Sequence, residues 1–131
     1  MATIKRFEDL EVWQLDRELA KSVHHIIYNT EIKNDYELRN QLSRSIGSVM
    51  DNIAEGFERG GRKEFIQFLV IAKGSCGEAK SQLYRALDKR HITTETFEKL
   101  ISELDKTAFK LGAFLQYLKK SDIEGQRYKT S

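Results

Sequence analysis

Between Asp35 and Phe57 the chain carries two rows of residues that run side by side. Leu38, Leu42, Ile46, Val49, Ile53 and Phe57 recur at steps of three or four, and so do Gln41, Ser45, Ser48, Asn52 and Glu55. An α-helix turns about 100° per residue, so the rows lie on neighbouring faces roughly 80° apart. The apolar row alone is enough to seat a helix in a bundle. The second row, small and hydrogen-bonding, continues past the helix end to Arg59. It predicts a further contact, either inside the bundle or across a subunit boundary.

The rest of the chain repeats the apolar half of this pattern. Val12, Leu15, Leu19, Val23 and Ile26, widened by Trp13, Ala20 and Ile27, predict a helix over about 9–28. The two-row segment gives a second over about 35–57. Phe65, Leu69, Ala72, Cys76, Ala79, Leu83 and Ala86 predict a third over 62–89. Phe97, Ile101, Leu104, Ala108, Leu111, Leu115 and Leu118 predict a fourth over 95–119. Asn34 and Glu37 suit a capping box opening the second helix, after a short polar link over Asn29–Asn34. Thr93 or Thr94 would open the fourth, and Glu58-Arg59-Gly60-Gly61 reads as a turn that tolerates positive φ. Heptad-like rows joined by short links predict an all-α fold, an antiparallel up-down-up-down four-helix bundle. In this reading the bundle occupies 1–120, Trp13 plugs its end or a subunit seam, and 121–131 form a flexible tail.

One patch departs from ordinary bundle composition. Gly74, Ser75, Cys76 and Gly77 surround the middle of the third helix with small residues. An interior glycine costs about 1 kcal/mol against alanine, so close approach of another backbone is expected here. The neighbour is the second helix at Gly47-Ser48 or a helix of another subunit.

Composition excludes several classes of function. No apolar run approaches the roughly 18 residues of a membrane span, and Met1-Ala2-Thr3-Ile4-Lys5-Arg6 has no secretory apolar core. The lone Cys76 forms no intramolecular disulfide, which fits a reduced, cytoplasmic setting. Lys and Arg total 22 against 20 acids, a net charge of +2, so nucleic-acid binding would have to come from clustering. No Glu-x-x-His pair is present for a di-metal bundle site, His24 and His25 point about 100° apart, and no nucleotide-binding glycine loop occurs. The reading is non-enzymatic, without cofactor or metal.

The run Tyr36-Glu37-Leu38, Gln41-Leu42, Ser45, Asn52-Ile53-Ala54-Glu55-Gly56 and Arg59, followed by Glu64-Phe65 and Ala72-Lys73-Gly74-Ser75, resembles a small bacterial family. These are the four-helix-bundle proteins encoded by intervening sequences in 23S ribosomal RNA genes, and their free-standing relatives. Phe7-Glu8-Asp9-Leu10-Glu11-Val12-Trp13 is similar to that family's opening. The resemblance spans about residues 6 to 118. It implies a non-enzymatic bundle that assembles as a homopentamer. It also points to the related accessory proteins of diversity-generating retroelements, which bind nucleic acid and a reverse transcriptase. The chain departs from the pattern in Cys76-Gly77 and in the link Lys33-Asn34-Asp35, where a proline is usual.

Two sets of candidate residues follow. For assembly or packing they are Gln41, Ser45, Ser48, Asn52, Glu55, Gly56, Gly74, Ser75 and Gly77. For nucleic acid they are Arg44, Arg59, Arg62, Lys63, Lys73 and Lys80, with Arg39 beside them. Arg59, Arg62 and Lys63 cluster at one tip, and a ring of subunits would repeat them as a basic annulus for salt-sensitive, sequence-independent binding to RNA or DNA. Expected partners are therefore the chain itself, RNA or DNA, and a reverse transcriptase or other protein, with no membrane. One catalytic competitor is Arg85 with His91, which meet the arginine-to-histidine spacing of some all-α ribonucleases. Arginine would steady phosphorane charge while histidine moved protons. Arg17 with His24 meets the same spacing, so the pattern carries little information. Cys76 falls in the apolar row and reads as a packed small hydrophobe.

Overall fold

The computed structural model describes residues 3–121. Four helices follow one another: α1 (Glu11–Tyr28), α2 (Tyr36–Glu58), α3 (Arg62–Asp88) and α4 (Thr94–Lys120). Each packs on its neighbour in sequence, and α1 closes against α4. Paired residues fix the antiparallel sense. Along α2 and α3, Asp35 meets His91, Gln41 meets Arg85, Ser48 meets Ser75 and Gly56 meets Phe65 and Phe68. Lys80 meets Asp105 between α3 and α4, and Ser22 meets Glu103 between α1 and α4. The fold is an all-α four-helix bundle, and among the described residues no helix is long and apolar enough to cross a membrane.

The apolar rows of α2 and α3 are buried throughout, from Leu38 to Phe57 and from Phe65 to Ala86. In α1 the buried row is Val12, Asp16, Leu19, Val23 and Ile27, so Leu15 and Ile26 yield to Asp16 and Ile27. In α4, Leu100 and Thr107 take the inner places expected of Ile101 and Ala108. Both shifts are one residue, about 100° around the helix. Apolar residues lie on both flanks, and the packing partner decides which flank faces in.

The ends differ from expectation in three places. α1 begins at Glu11, because Phe7–Asp9 form a 3-10 turn and the buried Leu10 adopts an extended backbone. Phe7 there packs edge-on against Trp13, with Arg17 over the indole. Asp35, not Asn34, caps α2, its Oδ1 accepting from the Leu38 amide at 3.3 Å. Asn34 closes a second 3-10 turn, Glu31–Asn34. That link is not simply polar: Ile32 is fully buried in it, and Thr30 donates to the Ile26 carbonyl while accepting from the Ile32 amide. Gly60 takes φ 87°, as the glycine turn requires, and among the described residues the other left-handed one is Arg90, at φ 61°.

Candidate functional site

The polar row of α2 faces α3 within the chain. Gln41 Oε1 accepts from Arg85 Nη1 at 2.6 Å, and Ser45 Oγ returns to the Gln41 carbonyl. Ser48 Oγ lies 2.9 Å from Ser75 Oγ, and Asn52 Nδ2 donates both to Ser48 Oγ and to its carbonyl. Small hydroxyls at this seam let two backbones approach while satisfying each other. Glu55, at the outer edge, pairs with Arg59 at 2.8 Å.

The glycines divide sharply. At Gly56 an added Cβ would lie 2.6 Å from Phe68 Cβ and 3.0 Å from Phe65 Cδ1, so α3 leaves no room here for a side chain on α2. At Gly47, Gly74 and Gly77 nothing among the described residues lies within 4 Å of such an atom. The expected close approach of α2 to Gly74 and Gly77 is therefore absent, and both glycines open outward. Val70, Gly74, Gly77 and Tyr84 fall within roughly 80° around α3, with Ile71 on the flank; the three large residues are each about half exposed. Lys73 lies beside Gly112 and Lys80 beside Asp105. This register puts Phe109, 73% exposed, level with Cys76 and Gly77 across the α3–α4 groove. An outward stripe with two glycines and unburied apolar side chains is the feature that sequence periodicity cannot assign to inside or outside.

The basic candidates separate into engaged and free. Arg59 holds Glu55 and lies over the Phe68 ring, and the ion pair raises its pKa. Arg62 Nη1 donates to the Leu118 carbonyl at 2.8 Å, clipping the end of α4 to the start of α3. Lys80 bonds Asp105, which raises its pKa. Arg39 stacks on Tyr36 and donates to the Lys33 carbonyl. Arg44, Lys63 and Lys73 are exposed and make no ion pair among the described residues. Arg85 is held by Gln41 and Glu37 of α2, and His91 by Asp35, the cap before that helix.

Two carboxylates escaped the sequence reading. Asp35 accepts from Lys89 Nζ at 2.8 Å and His91 Nε2 at 3.0 Å as well as from the Leu38 amide. These bonds, that of Lys89 foremost, hold its carboxyl well below the usual range. Asp16 is the opposite case, fully buried and, among the described residues, with no hydrogen-bond partner for either oxygen. Burial first, and the Asp51 charge second, push it up to about 8. Cys76 is buried too, and burial followed by the nearby Asp16 pushes its thiol up to about 12. Among the described residues, no group of three or more His, Cys, Asp or Glu could hold a metal ion.

The bundle end beyond α1 carries two further concavities. One, of about 680 Å³, lies between Tyr28, Thr30 and Lys33 on one wall and Arg90, His91 and Thr96 on the other. The second, of about 470 Å³, continues along the α1–α4 groove past His25 and Lys99, and shares Thr96 with the first.

The model of the 23S rRNA-intervening sequence protein family matches residues 8–113. Among solved structures the chain is similar to a protein with unknown function from the S23 ribosomal protein family of Bacteroides thetaiotaomicron VPI-5482. The two share 22% identity and superpose with a TM-score of 0.73 over 80% of this chain and 98% of the other. No curated protein matches.

Proposed function

Because the chain belongs to the 23S rRNA-intervening sequence protein family, we propose that it is a non-catalytic, self-assembling helical scaffold. Its outward α3 stripe meets a second copy. The observation that carries this reading is the open pair Gly74 and Gly77 beside half-exposed Val70, Ile71 and Tyr84. Each glycine costs about 1 kcal/mol in an exposed helix interior, and among the described residues nothing packs on either to offset it. Leaving a side chain such as Phe109 in water forgoes roughly 1.5–3 kcal/mol of burial. A Phe109 from one copy set over the glycines of the next would recover both. Repeated head to tail, such a contact makes a ring where the rotation between copies closes, in keeping with the homopentamer implied by resemblance.

Nucleic-acid association is the second part of the proposal. It is weak, salt-sensitive and independent of sequence, with RNA the first candidate and DNA the second, in a cytoplasmic setting. Arg44, Lys63 and Lys73 support it, since they carry no ion pair among the described residues. The engagement of Arg59, Arg62 and Lys80 within the chain favours a second reading, a bundle that binds only a protein, such as a reverse transcriptase. The ribonuclease reading has the least support, because Arg85 and His91 answer to different partners.

Light scattering on the protein and on Gly74→Leu, repeated with a labelled structured RNA across a salt series, tests both parts. Gly74→Leu has room in the monomer, so it should keep its helicity and lose assembly. A monomeric wild type overturns the scaffold; a ring that ignores RNA leaves the protein-only reading.

A further inference from the structure

Neither oxygen of Asp16 has a hydrogen-bond partner among the described residues, and no part of the residue reaches solvent. A neutral carboxyl can occupy such a place. A carboxylate cannot stay there dry and unpaired, because burying a lone charge is far costlier than burying a neutral group. The groups around it offer no relief. On α2 the charge that acts on it is another acid, Asp51. On α3 its neighbour is the Cys76 thiol, on which the exposed Lys73 also acts. On α4, Lys110 reaches Glu11 and Glu103 accepts from Ser22, both of them residues of α1. The two 3-10 turns that pack on α1 add Glu8, Asp9, Glu31 and Lys33. None of these groups bonds Asp16.

α1 is the element that a charge on Asp16 would move. It is the shortest of the four helices, at 18 residues, and packs less extensively on α2 and α4 than α3 does. Asp16 interrupts the apolar row of Val12, Leu19, Val23 and Ile27 that seats it. The contacts of α3 with α2 and with α4 do not involve α1. We propose that α1 is a pH-operated arm: loss of the Asp16 proton releases it from the rest of the bundle, which stays folded, and uncovers Cys76. The link over 29–35 is the hinge. Burial sets the direction, since it pushes Asp16 up to about 8. The closed form therefore keeps its proton at pH values where an open arm releases it. Opening rises by about tenfold per pH unit between the ordinary carboxyl range and about pH 8. Assembly through the outer face of α3 is not needed for this, because Asp16 and Cys76 both face inward.

Labelling of Cys76 reports the opening. In the closed bundle the residue is 3% exposed and burial pushes its thiol up to about 12, whereas the thiolate is the reactive form. In an open bundle the thiol returns toward its ordinary value of 9.0, below which its thiolate rises about tenfold per pH unit. The experiment follows Cys76 of the full chain with a chromogenic aromatic disulfide from about pH 6 to about pH 7.5. The reagent is kept dilute, so that reclosing outruns labelling. Wild type should label about a hundredfold faster per pH unit, a factor of ten from each proton. Asp16→Asn should show only about tenfold. Asp16→Leu, which fills the place with an apolar side chain, should do the same and serves if the amide folds poorly. Hydrogen exchange read by mass spectrometry in the same window locates the opening. Peptides of α1 should gain an extra factor of about ten per pH unit, and those of α2 and α3 should not. A wild-type dependence no steeper than that of the variants overturns the proposal. A gain shared equally by all four helices also overturns it, because the whole bundle would then be unfolding.

Discussion

Ser48 Oγ and Ser75 Oγ lie 2.9 Å apart across the α2–α3 seam, and Asn52 Nδ2 donates to the same Ser48 oxygen at 2.9 Å. Ser75 is 4% exposed, so its hydroxyl has little access to water if that partner is lost. Ser48→Ala should therefore cost about 1–3 kcal/mol, the penalty for stranding a buried polar group. Replacing both serines with alanine should cost less than Ser48→Ala alone, because nothing is then stranded at Ser75. Chemical denaturation of the two variants checks this. A double variant less stable than the single one would mean that Ser75 bonds elsewhere.

Two glycines in adjacent helices should respond to alanine with opposite signs. At Gly56 the new methyl would meet Phe68 Cβ at 2.6 Å, and overpacking of this kind costs about 1–3 kcal/mol. At Gly77 it would meet nothing within 4 Å, so the isolated subunit should gain up to about 1 kcal/mol of helix propensity. Thermal melts at dilution, where subunits are separate, measure both. The scaffold reading adds that Gly77→Ala weakens assembly even as the subunit becomes more stable.

These glycines mark the limit of what periodicity can convey. The α3 row from Phe65 to Ala86 was legible because every member is apolar or small and the steps of four and three run without a break. Gly56 and Gly77 look alike in sequence, yet one is pinned by two phenylalanines and the other is bare. That difference depends on the register between α2 and α3, which no single helix encodes. Asp16 was hidden for a related reason. Its spacing to Val12, Leu19 and Val23 fits the inner row, but a carboxylate argued against burial, and Leu15 offered an apolar alternative next door. The larger concavity went unnoticed because it lies between the link after α1 and the α3–α4 turn, far apart in sequence. The helix-two polar row was recognised as a contact surface; its partner, α3, required the fold.

Asp35 joins the start of α2 to the α3–α4 turn, through Lys89 and His91. Its pKa is lowered on folding, so the unfolded chain binds its proton first as pH falls. The stabilisation is thus fully present above the ordinary carboxylate range and is lost as pH drops through and below it. Asp35→Ala should remove the cap, worth about 1 kcal/mol, together with both side-chain bonds. Asp35→Asn should retain more of the cap than of the ion pair. Melting curves from neutral to acidic pH should show both variants losing less stability on acidification than wild type. Equal losses in all three would remove Asp35 from the account of acid sensitivity.

Asp16 works in the other direction. Its folded pKa of about 8 lies above the ordinary carboxyl value of 3.8, so between these values the folded chain holds a proton that the unfolded chain has released. Stability linked to Asp16 is fully present below about pH 4 and falls as pH rises toward 8. A raised carboxyl pKa of this size corresponds to several kcal/mol across that window, at roughly 1.4 kcal/mol per unit. Asp16→Asn keeps the shape and removes the ionisation, so it should stabilise the protein most at pH 8 and least near pH 5. Asp51→Asn should reproduce a small part of the effect, because Asp51 contributes less to the shift than burial does. The check is the difference in unfolding free energy between Asp16→Asn and wild type, measured at several pH values by denaturant titration. A difference that does not grow with pH would mean that Asp16 ionises freely in the folded chain, through water reaching a carboxylate that the packing of α1 otherwise encloses.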